Sequence, residues 1–321
     1  MYVIKSDSSR VRCAVHMRCT PMRATLRPLT PRSGRPAASL VPVRRLTSGG
    51  CTSLDEVATP QPVPGSPGAF TCTINDGWSI FGGKGCFGGV LKAQLARASA
   101  ALLPPDRTLR SMNTTFLAAG GPGEVDIHAT ILRSGKGMSF VTAEVRQAGS
   151  LLSVAHLSFG TTRTGSFQAP SLAMPSPVPP AHHAPLDNPH TPAYFRKQLE
   201  MSWASESELL KGADEGLIRM WMRFGTPVTK DCGLLVSLLD APPPPIWCYL
   251  KRPAFVASVS THMQLVREAA TLPGEQPWFL YESTLTHVGN GHSDIHGRLW
   301  HQDGGLAGLI TQHVTDFSEG R

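Results

Sequence analysis

Gly89-Val90-Leu91-Lys92-Ala93-Gln94-Leu95-Ala96-Arg97-Ala98-Ser99-Ala100-Ala101-Leu102 is the stretch on which the fold turns. Its alanines and leucines are strong helix formers, and Pro104-Pro105 bring the helix to an end. Before it lie a glycine cluster and two short strand-like runs, 69–73 and 78–81. After it come four more, at 109–117, 125–132, 137–147 and 151–159, broken by Gly, Pro or Ser. Two strands, a helix and four strands most easily make an antiparallel sheet wrapped around a central helix.

The same order then returns. Residues 166–192 hold eight prolines, which deny the segment both helix and ladder hydrogen bonds, so it reads as a linker. Beyond it the pattern predicts strands at 194–203 and 217–224 and a helix at 232–240 with Asp231 as N-cap. Strands at 255–265, 278–286, 292–300 and 305–315 follow, the middle two joined by a hairpin at Gly289-Asn290-Gly291. The second helix starts about 144 residues after the first (88 to 232), so the expected division is 1–68 as a basic leader, 69–165 as one half, 166–192 as linker and 193–317 as the other half. The fold class is α+β, and the two sheets can pair edge to edge and so hide strands each would otherwise expose.

Composition narrows the functions. The formal charge is +7, but residues 1–50 carry nine Arg and one Lys against the single acid Asp7, leaving 20 basic and 22 acidic side chains in the other 271 residues. The body is near neutral, so no nucleic-acid partner is expected, and no apolar run is long enough to span a membrane. The leader is rich in Arg, Ser and Pro, and Val43-Arg44-Arg45-Leu46-Thr47-Ser48 resembles a mitochondrial processing site. A mitochondrial address is expected, with a disordered tail on a cytoplasmic protein as the alternative. The ending Glu319-Gly320-Arg321 is not a peroxisomal tripeptide. Seven cysteines, odd in number and without a C-x-x-C pair, point to a reducing compartment rather than a zinc ribbon or disulfide framework.

Phe87-Gly88-Gly89-Val90-Leu91-Lys92-Ala93-Gln94-Leu95 resembles the phenylalanine-glycine-glycine helix start of the TesB-like (acyl-CoA thioesterase II) family and its thioesterase-like relatives. Further resemblances follow in order. They are Leu109-Arg110-Ser111 through Phe116-Leu117, residues 132–140, residues 153–159, Leu238-Leu239-Asp240, Pro277-Trp278-Phe279-Leu280-Tyr281-Glu282-Ser283, and Gln302-Asp303-Gly304-Gly305-Leu306-Ala307 leading to Thr311-Gln312. Each is common alone; their collinearity over about 250 residues is what counts.

The resemblance implies a double hotdog that hydrolyses fatty acyl-CoA, with Asp240, Ser258 and Gln312 positioning a water. The expected partner is the acyl-CoA substrate; no cofactor and no metal are implied, and association into a homo-oligomer stays open. Thioester hydrolysis needs a water made nucleophilic as it attacks and donors where charge grows on the carbonyl oxygen. Asp240 with Gln312 and Ser258 answers the first need, and the amides of Gly88 and Gly89 at a helix N-terminus are candidates for the second, binding the substrate carbonyl. Each has a structural counterpart: Asp240 ending a helix, Gln312 in an ordinary hydrogen bond, the glycine pair allowing close packing.

Two departures stand out. The family commonly has threonine where this chain has Ser258 and a charge where it has Ser260, and Pro242-Pro243-Pro244-Pro245, one residue beyond Asp240, are expected to make a stiff loop. By the two-residue period Ser258, Ser260 and His262 share one strand face, and a one-residue slip puts Thr261 there instead. Arg110, Arg133 and Lys136 are loose candidates for a mouth that takes the CoA phosphates. His287, His292 and His296, near His301, read as surface or cross-strand histidines rather than a metal site. No G-x-S-x-G elbow, G-x-G-x-x-G after a strand, or P-loop occurs, and no His/Asp pair of a dehydratase sits on the helix. A double hotdog that binds acyl-CoA or lipid with little catalysis is the rival function.

Overall fold

The computed structural model describes residues 52–80, 83–163, 165, 167, 169–175, 197–205, 207–252 and 254–316. Residues 1–51 of the expected leader, with the processing-site-like residues 43–48, lie outside these.

The predicted helix is α2 (Gly88–Ala100), and its counterpart is α3 (Cys232–Asp240), capped as expected by the Asp231 carboxylate, which accepts from the amides of Gly233 and Leu234. Two shorter helices were not foreseen: α1 (Leu54–Ala58) and α4 (Ile246–Tyr249). The strands are β1 (Gln61–Pro62), β2 (Ala69–Ile74), β3 (Ser79–Ile80), β4 (Gly85–Cys86), β5 (Thr108–Phe116), β6 (Gly123–Ser134), β7 (Met138–Gln147) and β8 (Ser150–Gly160) in the first half. In the second half they are β9 (Leu199–Trp203), β10 (Leu217–Phe224), β11 (Val256–Leu265), β12 (Phe279–Gly289), β13 (His292–His301) and β14 (Leu306–Asp316).

Twelve of these strands form one antiparallel sheet in the order β1-β2-β6-β7-β8-β5-β11-β14-β13-β12-β10-β9, while β3 and β4 pair separately. The order is symmetric about the β5–β11 contact, where Thr115 opposes Ser260 and Ser111 opposes Gln264. The halves therefore join edge to edge, as the duplicated plan predicts, with the β5 edge of one covered by the β11 edge of the other. Asn290 and Gly291, with φ of 54° and 75°, make the tight turn between β12 and β13 that the Gly-Asn-Gly signal predicts.

Both helices lie on one face of the sheet and are buried on nearly every side, which is why neither sequence shows a strong polar stripe. They run antiparallel to each other. Arg97 near the end of α2 pairs with Asp231 at the start of α3, and Asp240 at the end of α3 meets Lys92 and Gly88 near the start of α2. Their contact is close because Gly89 lacks a side chain: a Cβ there would stand 3.0 Å from the Ser237 carbonyl oxygen, and the Ser237 hydroxyl donates to the Gly89 carbonyl at 2.8 Å.

Three expectations need correction. Residues 52–68 are not part of a leader outside the fold: Ser53 and Glu56 cap α1 reciprocally, Leu54, Val57 and Ala58 are buried, and Asp55 reaches both Arg97 and the amide of Thr229. The run 78–81 is not one strand, since Asp76–Trp78 is a 3-10 turn leading into β3. The four prolines after Asp240 do not make only a stiff loop, because Pro245 is the N-cap of α4 and the carbonyls of Pro244 and Pro245 accept from the amides of Trp247 and Cys248. The described residues of 166–175 carry neither helix nor strand, and 176–196 lie outside the described set.

Candidate active site

Asp240 is the last residue of α3, with its side chain only 7% exposed. Its Oδ1 forms a close ion pair with Nζ of Lys92, which is fully buried one turn into α2. Its Oδ2 faces Gly88, where a Cβ would lie 2.5 Å from that oxygen. Phe87, the N-cap of α2, has no side-chain hydrogen bond to the first turn, so the Asp240 carboxylate stands at an N-terminus capped by no side chain, the positive end of the helix dipole. Burial pushes the Asp240 carboxyl above its ordinary value, and Lys92 pulls the other way through its charge and hydrogen bond. Burial likewise pushes the Lys92 ammonium below its ordinary value, with Asp240 opposing. The Phe116 ring lies 4.7 Å from Lys92 Nζ and would contact a Cβ on Gly88. Phe116 in turn follows Thr115, the partner of Ser260 on β11.

Gln312 and Ser258 come together directly, Nε2 of Gln312 donating to Oγ of Ser258 at 2.5 Å. A β-bulge makes this meeting. Ser258 opposes Val314, Ser260 opposes His313 and Thr261 opposes Gln312, so the register shifts between Ser258 and Ser260. The expectation that Ser258, Ser260 and His262 share a face is therefore wrong, because the inserted residue resets the alternation. Ser258 shares the helix-facing side with Val314, whereas Ser260 and His262 line an open polar trough of about 570 Å³ on the outer face, with Asn113, Thr115, His296 and His313.

On the inner face a short polar row crosses an otherwise apolar surface: Thr114, Thr261 and Gln312 are consecutive cross-strand partners. The hydroxyls of Thr114 and Thr261 are buried and have no hydrogen-bond partner among the described residues. Each such group costs free energy unless something polar reaches it. The polar row is thus where a water or a thioester oxygen fits better than in the surrounding core.

The other predicted residues separate. Gly88 sits against Asp240, but Gly89 is turned into the contact between the helices, so its packing role is the visible one. Arg110, Arg133 and Lys136 are not at a mouth beside Asp240. Arg110 lies six residues from Phe116 along β5, roughly 20 Å at strand rise, and binds Glu268 and Thr162. Arg133 and Lys136 flank the β6–β7 hairpin at that same far end, where Arg107 donates to the Gly135 and Lys136 carbonyls. Among the histidines, His292 and His313 pair across strands at 3.0 Å, in keeping with the sequence reading. His301 departs from it: it is fully buried, edge-on to Phe279 and bonded to the Pro273 carbonyl.

Sequence reasoning missed Lys92 and Phe116 as parts of this site. The signal for Lys92 was present: a single lysine set among alanines and leucines on a helix with no polar face.

A twelve-stranded antiparallel sheet folded over two antiparallel helices, with duplicated halves, defines a double hotdog. Residues 74–160 match the acyl-CoA thioesterase N-terminal domain and residues 175–315 the acyl-CoA thioesterase C-terminal domain. The chain belongs to the acyl-CoA thioesterase family, and with it to the thioester hydrolases. Solved structures repeat the fold. A hot dog protein of unknown function from Alicyclobacillus acidocaldarius is 21% identical with a TM-score of 0.74, covering 83% of this chain and 98% of its own. A putative thioesterase II from Thermobifida fusca is 17% identical with a TM-score of 0.72, covering 84% and 97%. The acyl-CoA thioesterase II TesB2 of Mycobacterium marinum is 18% identical with a TM-score of 0.66, covering 82% and 98%. A sequence comparison with curated proteins returns no match. Among the described residues no helix is long and apolar enough to cross a membrane.

Proposed function

We propose that this protein hydrolyses fatty acyl-CoA to the free acid and CoA by direct attack of a water on the thioester carbonyl. Asp240 takes the proton of that water, Gln312 and Ser258 orient it, and the first-turn amides of α2 at Gly88 meet the charge that grows on the carbonyl oxygen. The observation that carries the reading is the polar row, buried at Thr114 and Thr261 and ending in the half-buried Gln312–Ser258 hydrogen bond, on the sheet face that also receives α3. An apolar core has no use for such a row unless a polar group visits it. The inner-face side chains around it are apolar and suit an acyl chain.

A second reading, an acyl-CoA-binding protein with little catalysis, is favoured by one feature: Asp240 is already engaged by Lys92. Free-thiol release from acetyl-, octanoyl- and palmitoyl-CoA separates the two. Turnover of any of these supports the hydrolase; binding of all three without release of thiol supports the second reading and overturns the first.

A further inference from the structure

Lys92 is a lysine with no exposed surface, on a helix where its neighbours Leu91, Ala93, Leu95 and Ala96 are buried apolar residues. A buried lysine is retained at a heavy desolvation cost unless it has a partner, and here the partner is the carboxylate proposed as base. The groups that face Asp240 from the elements around it are Lys92 on α2, the Cys86 thiol on β4 and the Tyr281 phenol on β12, with Phe116 from β5 bringing no charge. Burial pushes the Cys86 thiol up to about 12 and the Tyr281 phenol in the same direction, with hydrogen bonds opposing and the Asp240 charge adding a smaller push, so both stay neutral over the working range. Lys92 is therefore the cation that acts on Asp240.

We propose that Lys92 is a positioning residue for hydrolysis: it pins the Asp240 side chain through Oδ1 and turns it so that Oδ2 is presented at the Gly88 end of α2. The inference rests on Asp240 acting as the base. Without Lys92, desolvation acts on Asp240 unopposed, and the carboxyl keeps its proton to higher pH. A group that merely filled space at this position would not move the protonation of its neighbour. The ammonium also stacks over Phe116 at 4.7 Å, which fixes its own position.

The test uses the full chain and the variants Lys92→Met, Lys92→Arg and Asp240→Asn, with kcat/KM for acyl-CoA measured across the pH range. The expected result is an acid limb displaced upward by more than one pH unit in Lys92→Met, hence a loss of more than about tenfold at pH values below the wild-type limb that recovers at higher pH. Lys92→Arg should return the limb toward wild type. A folded Lys92→Met with a wild-type acid limb, while Asp240→Asn is inactive, overturns this inference and leaves the base assignment standing. Full activity in Asp240→Asn instead overturns the base assignment itself. A second readout needs no turnover: Tm of Lys92→Met should fall as pH rises from the unfolded carboxyl value of about 4 toward the raised folded value, because the folded chain keeps a proton that the unfolded chain releases, and Lys92→Met/Asp240→Asn should lack that fall. If Lys92→Met fails to fold, the double variant should fold; failure of both, regardless of charge, overturns the proposal.

Discussion

Replacing Gly88 with alanine adds one methyl at the most confined point of the site. That methyl would stand 2.5 Å from Asp240 Oδ2 and 3.1 Å from the Phe116 ring, so one of the two must shift. Asp240 is pinned through Oδ1 to a fully buried Lys92, and Phe116 is held in β5 next to the junction of the halves. Overpacking of this kind costs about 1–3 kcal/mol, offset in part by roughly 0.5–1 kcal/mol gained when alanine replaces glycine in a helix. The net loss is about 0–2.5 kcal/mol, a fall of up to roughly 10 °C in Tm for a fold of this size. Activity should suffer more than stability, since moving a carboxylate by about 1 Å from its working position lowers turnover roughly 100-fold. Gly89→Ala is the control. Its Cβ would press on the Phe87 ring at 2.3 Å and the Ser237 carbonyl at 3.0 Å, forcing the helices apart, so its Tm should fall further. Thermal unfolding beside thiol-release kinetics reads both effects. Gly88→Ala with wild-type kcat/KM and an unchanged Tm would refute the reasoning.

Ser258→Ala removes the acceptor of the Gln312 amide and should lower kcat/KM by roughly 10–100-fold, whereas Thr261→Val deletes a hydroxyl that has no partner and should leave Tm unchanged or raised. The reverse outcome in the kinetics would transfer the hydroxyl role to Thr261. The Glu268 carboxyl is held below its ordinary value, first by the Thr162 hydroxyl bond, with partial burial opposing and Thr108 and Arg110 assisting. Its folded value lies below its unfolded one, so its contribution to stability is present above the unfolded value of about 4.3 and is lost as pH falls through the folded value. Tm measured from pH 5 downward should therefore decline, and less steeply in Glu268→Gln; equal slopes would remove Glu268 from the account. Finally, we propose that residues 1–50 direct the chain to mitochondria: a fluorescent protein carrying them should enter the organelle, and uniform cytoplasmic signal would favour a simple tail.

Most elements were legible because their causes are local. Alanines and leucines between glycines and a proline pair mark α2, alternating apolar residues mark the long strands, and Gly-Asn-Gly marks the β12–β13 turn. The β5–β11 junction was legible at a coarser level, since two similar open sheets each need an edge covered. What escaped depends on single insertions or on distant partners. Nothing in Val256-Ala257-Ser258-Val259-Ser260-Thr261 marks a bulge, yet one extra residue decides that Ser258 and Thr261 look inward while Ser260 looks out. His301 looked like its exposed neighbours because burial is set by Phe279 and the Pro273 loop, both more than twenty residues away in sequence. Helix α1 did carry its own signal, Ser53-Leu54-Asp55-Glu56, a capping box hidden in a short polar stretch. Lys92 shows the limit most clearly: its type was visible, but its meaning depends on Asp240, 148 residues away.

The central claim is that Asp240 and Gln312 jointly activate the water that cleaves the thioester. Its most direct test is single-turnover thiol release from octanoyl-CoA by wild type, Asp240→Asn and Gln312→Ala, with acyl-CoA binding measured on the same preparations. The account predicts that both variants bind the substrate and lose hydrolysis by at least about 100-fold. Hydrolysis at the wild-type rate in either one would contradict it.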